Sequence, residues 1–163
     1  MSGPYGGGLG SLSDMKITIF VVGGVGVTPA ASMVPYIIKG GKDVYVIWSC
    51  RSASLCQHVA GEYFDNACGS YFNRKPDHRH IHFSGKAVDT IVLQPFVKTG
   101  RPDIPGIIQS AVKNALSQDI FDIGVFVCGP NALVESTLAA ADAVNADKSH
   151  HAHVHVHAES FQM

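Results

Sequence analysis

Three short stretches of the sequence combine residue types suited to holding a phosphate-bearing ligand. The first, Gly23-Gly24-Val25-Gly26-Val27-Thr28-Pro29, follows an apolar run. Glycines there permit a tight turn and close approach of backbone N–H groups to a pyrophosphate, with the amino end of a helix behind it. Pro29 suits the first turn of that helix, where its missing N–H costs nothing, and it replaces the third glycine of a GxGxxG pattern. The second stretch is Ser49-Cys50-Arg51-Ser52. In a dinucleotide fold this position meets the adenosine ribose, where a carboxylate holds a 2′-hydroxyl and an arginine suits a 2′-phosphate. Arg51 is thus an NADPH signal, with Ser49 and Ser52 as hydrogen-bonding partners. The third is Val127-Cys128-Gly129-Pro130, in which a small polarisable Cys128 and a glycine leave room for a flat ring against the backbone. Each stretch also has a plainer reading: a tight turn that needs glycine, a solvated surface arginine, and a buried cysteine ahead of a helix.

Histidine is the other residue type in excess. There are nine, and His151, His153, His155 and His157 alternate with small apolar residues, so that in a strand they share one face. Such a face could bridge a divalent metal or make a pH-sensitive contact. The plainer reading, an edge strand whose histidine face meets a helix, a loop or solvent, is preferred, and no metal ligand set is assigned. His78, His80 and His82 repeat the pattern and are read the same way.

The elements that must position these groups alternate along the chain. Residues 16–22, 44–48, 80–83, 123–127 and 152–158 read as strands, and 29–39, 54–67, 105–117 and 131–146 carry helical spacing. Polar loops are expected at 73–79 and 96–103. Continuous rather than alternating apolar strands call for a sheet covered on both faces, and strand–helix alternation calls for parallel crossovers. The expected fold is α/β: a doubly wound open sheet of about five parallel strands with helices on both faces. Ligands of such sheets bind at the carboxyl ends of the strands, where all three stretches fall.

Composition narrows the function. At 163 residues the chain is about one domain long. Charged residues make up 15% and hydrophobic ones 46%, a balance that excludes intrinsic disorder. A formal net charge of −1 argues against a nucleic-acid partner. So few charges suggest that other protein covers part of the surface. The longest apolar stretches fall far short of a bilayer span, so no direct membrane insertion is expected, and the opening MSGPYGGGLG has no signal-peptide pattern. Cys50, Cys56, Cys68 and Cys128 form no CxxC pair, which fits a reducing environment.

The three stretches, in this order, resemble the NADPH-binding half of the ferredoxin-NADP reductase superfamily, and most of all the membrane ferric reductases and NADPH oxidases. Further matches are Gly3-Pro4-Tyr5-Gly6, Trp48 ahead of Ser49-Cys50-Arg51, Gly100-Arg101-Pro102, Gly124-Val125-Phe126 ahead of the cysteine turn, and the terminal Glu159-Ser160-Phe161. The resemblance covers nearly the whole chain. GxGxTP and CGP are shared widely in the superfamily; the Cys-Arg, Gly-Arg-Pro and Glu-x-Phe set narrows the match.

The resemblance implies roles residue by residue. Gly24, Gly26, Thr28 and Pro29 cradle the pyrophosphate, Arg51 with Ser52 meets the adenosine phosphate, and Arg101 lines the same cleft. Cys128, Gly129 and Pro130 lie near the nicotinamide, and Phe161, with Glu159 beside it, stacks on the flavin where the nicotinamide enters. Residues 1–14 are then the remnant of a linker from a flavin domain, and 15–163 the NADPH-binding domain. The flavin domain's own Arg-x-Tyr/Phe-Ser/Thr motif is absent, as are haem-bearing helices, so the chain resembles an excised domain. Its implied partners are the FAD-binding domain and the haem-containing transmembrane domain of one parent chain, at the cytosolic face of a membrane. NADPH would bind here, FAD mainly on the missing domain, and haem in the membrane. The implied function is hydride delivery from NADPH to FAD, for onward transfer to ferric iron or, in the alternative, to oxygen, or to a cytosolic acceptor in a soluble flavin reductase. The short stretch 84–94 after the third strand favours the ferric reductase. Alone, the domain is expected to bind nucleotide and catalyse nothing.

Overall fold

The computed structural model describes residues 14–160. The Gly3-Pro4-Tyr5-Gly6 stretch, all of the expected linker remnant except Asp14, and Phe161 lie outside the described residues.

The run ITIFVVG has no polar face to offer water, and it forms the central strand β1 (Ile17–Gly23), in which every residue is buried. Strands β2 (Asp43–Cys50), β3 (Arg79–Phe83), β4 (Val97–Thr99), β5 (Asp122–Gly129) and β6 (His153–Ser160) complete a parallel sheet in the order β4-β3-β2-β1-β5-β6. Alternate residues go to opposite cores. Phe20, Val22, Val46, Trp48 and Phe126 pack with helices α1 (Val27–Lys39) and α2 (Ala53–Gly61). Ile17, Ile19, Val21, Ile47, Ile123 and Val125 pack with α4 (Ile104–Ser117) and α5 (Asn131–Ala146) on the other face. This is the expected doubly wound α/β architecture. After β1 the chain builds outward through β2, β3 and β4, then crosses back to add β5 and β6 on the other side of β1. The direction of winding reverses between β1 and β5, which opens a crevice at the carboxyl ends.

Two local expectations are corrected. Among the described residues the sheet has six strands, because β4 forms inside the stretch read as a polar loop at 96–103. Three residues are too few to show a period, and the strand is recruited by pairing with β3 (Ile81↔Val97, Phe83↔Thr99). The buried guanidinium of Arg79, 3.7 Å above the Phe96 ring, anchors the residue leading into it. The helix expected over 54–67 ends as an α-helix at Gly61 and widens into a π-helical turn, Glu62–Ala67, followed by a short helix α3 (Gly69–Arg74). Within that turn the Phe64 carbonyl accepts from Arg79 Nη1 at 2.7 Å. Arg79 therefore begins β3 in the interior, although its sequence context is polar.

The histidine-rich strand β6 is an edge strand. The His157 ring is buried and stacked on Phe126, with centroids 5.4 Å apart and planes nearly parallel. His155 Nε2 meets the Asp122 carboxylate at 2.8 Å, and His153 is exposed. Asn145 covers the strand's outer edge by donating to the Val154 carbonyl (3.0 Å) and accepting from the Val154 N–H (2.7 Å). On the opposite wing His78 stacks on Tyr45 at 3.8 Å and places Nδ1 3.0 Å from the Val44 carbonyl. No group of three or more metal-ligating side chains converges among the described residues.

Candidate functional site

The ends of β1, β2 and β5 lie side by side, with Gly23 opposite Ser49 and Val22 opposite Cys128. The glycine turn, the arginine turn and the cysteine turn therefore open onto one crevice of about 520 Å³. Its walls are Gly23, Gly24 and Val25; Ser49 to Ser52 with Leu55; Ser84; Arg101, Pro102 and Ile104; and Pro130, Ala132, Leu133 and Ser136. A larger groove of about 870 Å³, bordered by Tyr45, His78 and Asn114, contains none of the three turns.

The charge of the crevice is one-sided. Arg51 and Arg101 are the charged residues of its lining, and no carboxylate faces them there. Neither arginine takes part in an ion pair among the described residues. Four serines, Ser49, Ser52, Ser84 and Ser136, add hydroxyls. Two unpaired guanidinium groups over a wall of hydroxyls suit an anionic ligand with several phosphate oxygens.

Backbone contacts set each wall. Gly24 has φ +53°, in the left-handed region that glycine enters at no steric cost, and starts a 3-10 turn over Gly24–Gly26. The buried indole of Trp48 donates to the Gly24 carbonyl at 3.0 Å, and Thr28 Oγ1 donates to the Val25 carbonyl at 3.0 Å. Gly26 is a packing requirement: a β-carbon there would stand 2.5 Å from the Cys128 carbonyl oxygen. The glycine turn thus rests directly on the cysteine turn. On the arginine side, the Ser84 N–H donates to the Cys50 carbonyl at 2.9 Å, carrying the β2–β3 ladder one step past the strands. Ser52 caps α2 by accepting from the Leu55 N–H at 3.3 Å. Asp103 caps α4 by accepting from the Gly106 N–H at 3.2 Å, which fixes the segment bearing Arg101.

The candidate residues separate into two layers. Gly24, Arg51, Ser52, Arg101 and Pro130 line the crevice, whereas Gly26, Thr28, Pro29, Cys128 and Gly129 stand next to lining residues without lining it themselves. Glu159 pairs in register with Cys128, and the Ser160 hydroxyl contacts Asn131, so the last strand ends beside the cysteine turn. Burial pushes the Cys128 thiol up, with the charge of Glu159 adding to the effect. Cys128 is therefore a buried, protonated thiol at neutral pH. Cys50 behaves differently: a hydrogen bond with the Cys56 thiol lowers it to about 7 against burial, and Cys56 is pushed up in turn.

Sequence reasoning gave no role to Trp48, Ser84 or Gly85. The glycine after the third strand is a legible signal once that strand end is inspected: a β-carbon on Gly85 would lie 2.8 Å from the Arg51 carbonyl carbon. The bond from Trp48 has no signature in sequence, because its partner is 24 residues away.

No protein-family model matches the chain. The chain is 28% identical over 192 residues to a dual oxidase of Drosophila melanogaster, covering 99% of this chain and 12% of that protein. It is 26% identical over 151 residues to human NADPH oxidase 4, covering 82% of this chain and 25% of the relative. Among solved structures, full-length CYP116B46 from Tepidiphilus thermophilus superposes with a TM-score of 0.53 at 16% identity, over 92% of this chain and 15% of that one. This last likeness concerns the fold. No helix among the described residues is long and apolar enough to cross a membrane. The chain is homologous to one part of the dual oxidases and NADPH oxidases, of which it spans about an eighth to a quarter of the length, and it carries a doubly wound α/β fold.

Proposed function

We propose that this chain is the NADPH-binding domain of a membrane electron-transfer protein, and that it presents the nicotinamide to an FAD held mainly by an adjoining domain. The observation that carries the reading is the crevice at the switch point, with Arg51 and Arg101 in no ion pair among the described residues and four serines lining it with them. NADPH supplies a hydride from its nicotinamide C4 to the flavin, and the chemistry belongs to the cofactors. The chain's residues bind and orient. Arg51, with Ser52, holds the adenosine 2′-phosphate; the turn from Gly24 to Gly26, with Thr28 and Pro29 behind it, meets the pyrophosphate; Arg101 faces the same phosphates from the opposite wall. Cys128, Gly129 and Pro130 form the floor for the ring, and Phe161, with Glu159 beside it, guards the flavin side.

In this reading residues 1–14 lead from a flavin domain and 15–163 form the nucleotide domain. The partners are that flavin domain and a haem-bearing transmembrane domain, and this part faces the cytosol. The similarity to oxidases supports dioxygen as the terminal acceptor. Ferric iron is the second reading, favoured by the short connection between β3 and β4.

The test is a titration of the chain with NADPH and, separately, NADH, followed by amide chemical shifts. Saturable shifts in the three turns, stronger for NADPH, are expected. Absence of shifts up to millimolar nucleotide would refute the reading for this chain. Reduction of ferric iron by the chain with NADPH and no added flavin would refute its dependence on a flavin partner.

A further inference from the structure

The glycine turn carries a device that the motif itself does not contain. Trp48 is wholly buried on the core side of β2, with its ring tilted against Phe64 at 6.2 Å. Its indole N–H donates to the Gly24 carbonyl at 3.0 Å, and the same carbonyl accepts from the Val27 N–H that closes the turn. A planar trans peptide points its C=O and N–H in opposite directions. Holding the Gly24 oxygen down toward the core therefore turns the N–H of Val25 up, and Gly24 and Val25 form part of the crevice wall. Rotation of this peptide turns ψ of Gly24 against φ of Val25, and Gly24, with no β-carbon, sets little steric barrier on its side of the peptide. Rotated the other way, the same peptide would present a carbonyl oxygen to an incoming phosphate.

We infer that Trp48 is a positioning residue for the proposed nucleotide: its buried indole locks the Gly24–Val25 peptide so that the Val25 N–H faces the pyrophosphate. This rests on the dinucleotide reading above. Trp48 touches no ligand in this arrangement. Its effect is confined to the pyrophosphate end of the crevice, whereas Arg51 acts at the adenosine end.

Trp48→Phe keeps an aromatic ring in the core and removes the donor. The chain and this variant are titrated with inorganic pyrophosphate, adenosine 2′-monophosphate and NADPH, read by amide shifts. Pyrophosphate and NADPH should each weaken about three- to tenfold, the worth of one hydrogen bond, while adenosine 2′-monophosphate binds as before. A folded variant with unchanged pyrophosphate and NADPH affinity overturns the inference and leaves the dinucleotide reading standing. So does an equal loss for all three ligands, which would report general loosening of the core. Should the variant fail to fold, the unmodified chain decides: the Val25 amide must shift on addition of pyrophosphate while the Trp48 indole proton stays protected from exchange, and an unmoved Val25 amide overturns the inference. An unmodified chain that binds none of the three overturns the dinucleotide reading, and this inference with it.

Discussion

Gly85→Ala tests whether the arginine wall is set by backbone packing from outside the motif. A β-carbon at position 85 would lie 2.8 Å from the Arg51 carbonyl carbon and 3.1 Å from its Cα. Carbon atoms rest at about 3.5–4.0 Å, and the Arg51 carbonyl oxygen stands nearer still to that β-carbon, so one backbone must retreat by more than about 1 Å. The glycine's own loop is tied down, since the neighbouring Ser84 N–H donates to the Cys50 carbonyl at 2.9 Å. The strand β2 side is continuous with the sheet through Cys50↔Phe83, and Arg51, exposed and beyond the ladder, is the part free to move. A guanidinium–phosphate hydrogen bond does not survive a displacement of that size with its geometry intact. The loss should approach that of a hydrogen bond to a charged group, ~1.5–3 kcal/mol, or about ten- to hundredfold in NADPH affinity. NADH, which lacks the 2′-phosphate, should bind nearly as before. The assay is a paired titration of variant and parent with both nucleotides, with a thermal melt to confirm folding. Unchanged NADPH affinity in a folded variant, or an equal loss for NADH, would refute the reasoning.

Three further outcomes follow from the same contacts. Arg51→Ala should weaken NADPH by ~1.5–3 kcal/mol and leave NADH nearly unchanged in the same titration; equal losses would contradict the assignment of Arg51 to the 2′-phosphate. Burial lowers His78, His80 and His82 below the ordinary histidine value of 6.5, so the unfolded chain binds more protons than the native one as pH falls through that value. Stability is then full above about 6.5 and declines below it, and the urea midpoint should drop between pH 7.5 and 5.5; a flat profile would contradict the native neutrality of these rings. Asn145→Ala removes both hydrogen bonds to the Val154 backbone on the edge strand and should cost about 1–3 kcal/mol in urea unfolding, with no selective effect on nucleotide binding.

The layers and the location of the site were determined by local sequence. Apolar runs such as ITIFVVG have no polar face, so they specify strands buried on both sides wherever they stand, and the intervening helical patterns specify parallel crossovers. The turns after β1, β2 and β5 stand out by residue type, because glycine and proline shape a turn's backbone and arginine supplies a charge there, although each also has a plainer use. Tertiary structure decided what depends on a distant partner. Strand β4 exists because β3 offers a free edge and Arg79 holds Phe96, and nothing in Val97-Lys98-Thr99 by itself requires a strand. The helix expected to run to residue 67 widens where a carbonyl meets that same guanidinium. His157 looks like its neighbours in the alternating run, yet it is buried because Phe126 lies beside it in register. The aim of the glycine turn is set by Trp48 and the place of Arg51 by Gly85, each through one contact across the fold. A pattern of residue types fixes which chemistry a turn can offer; the direction in which it offers it is fixed by packing, which the linear spacing does not encode.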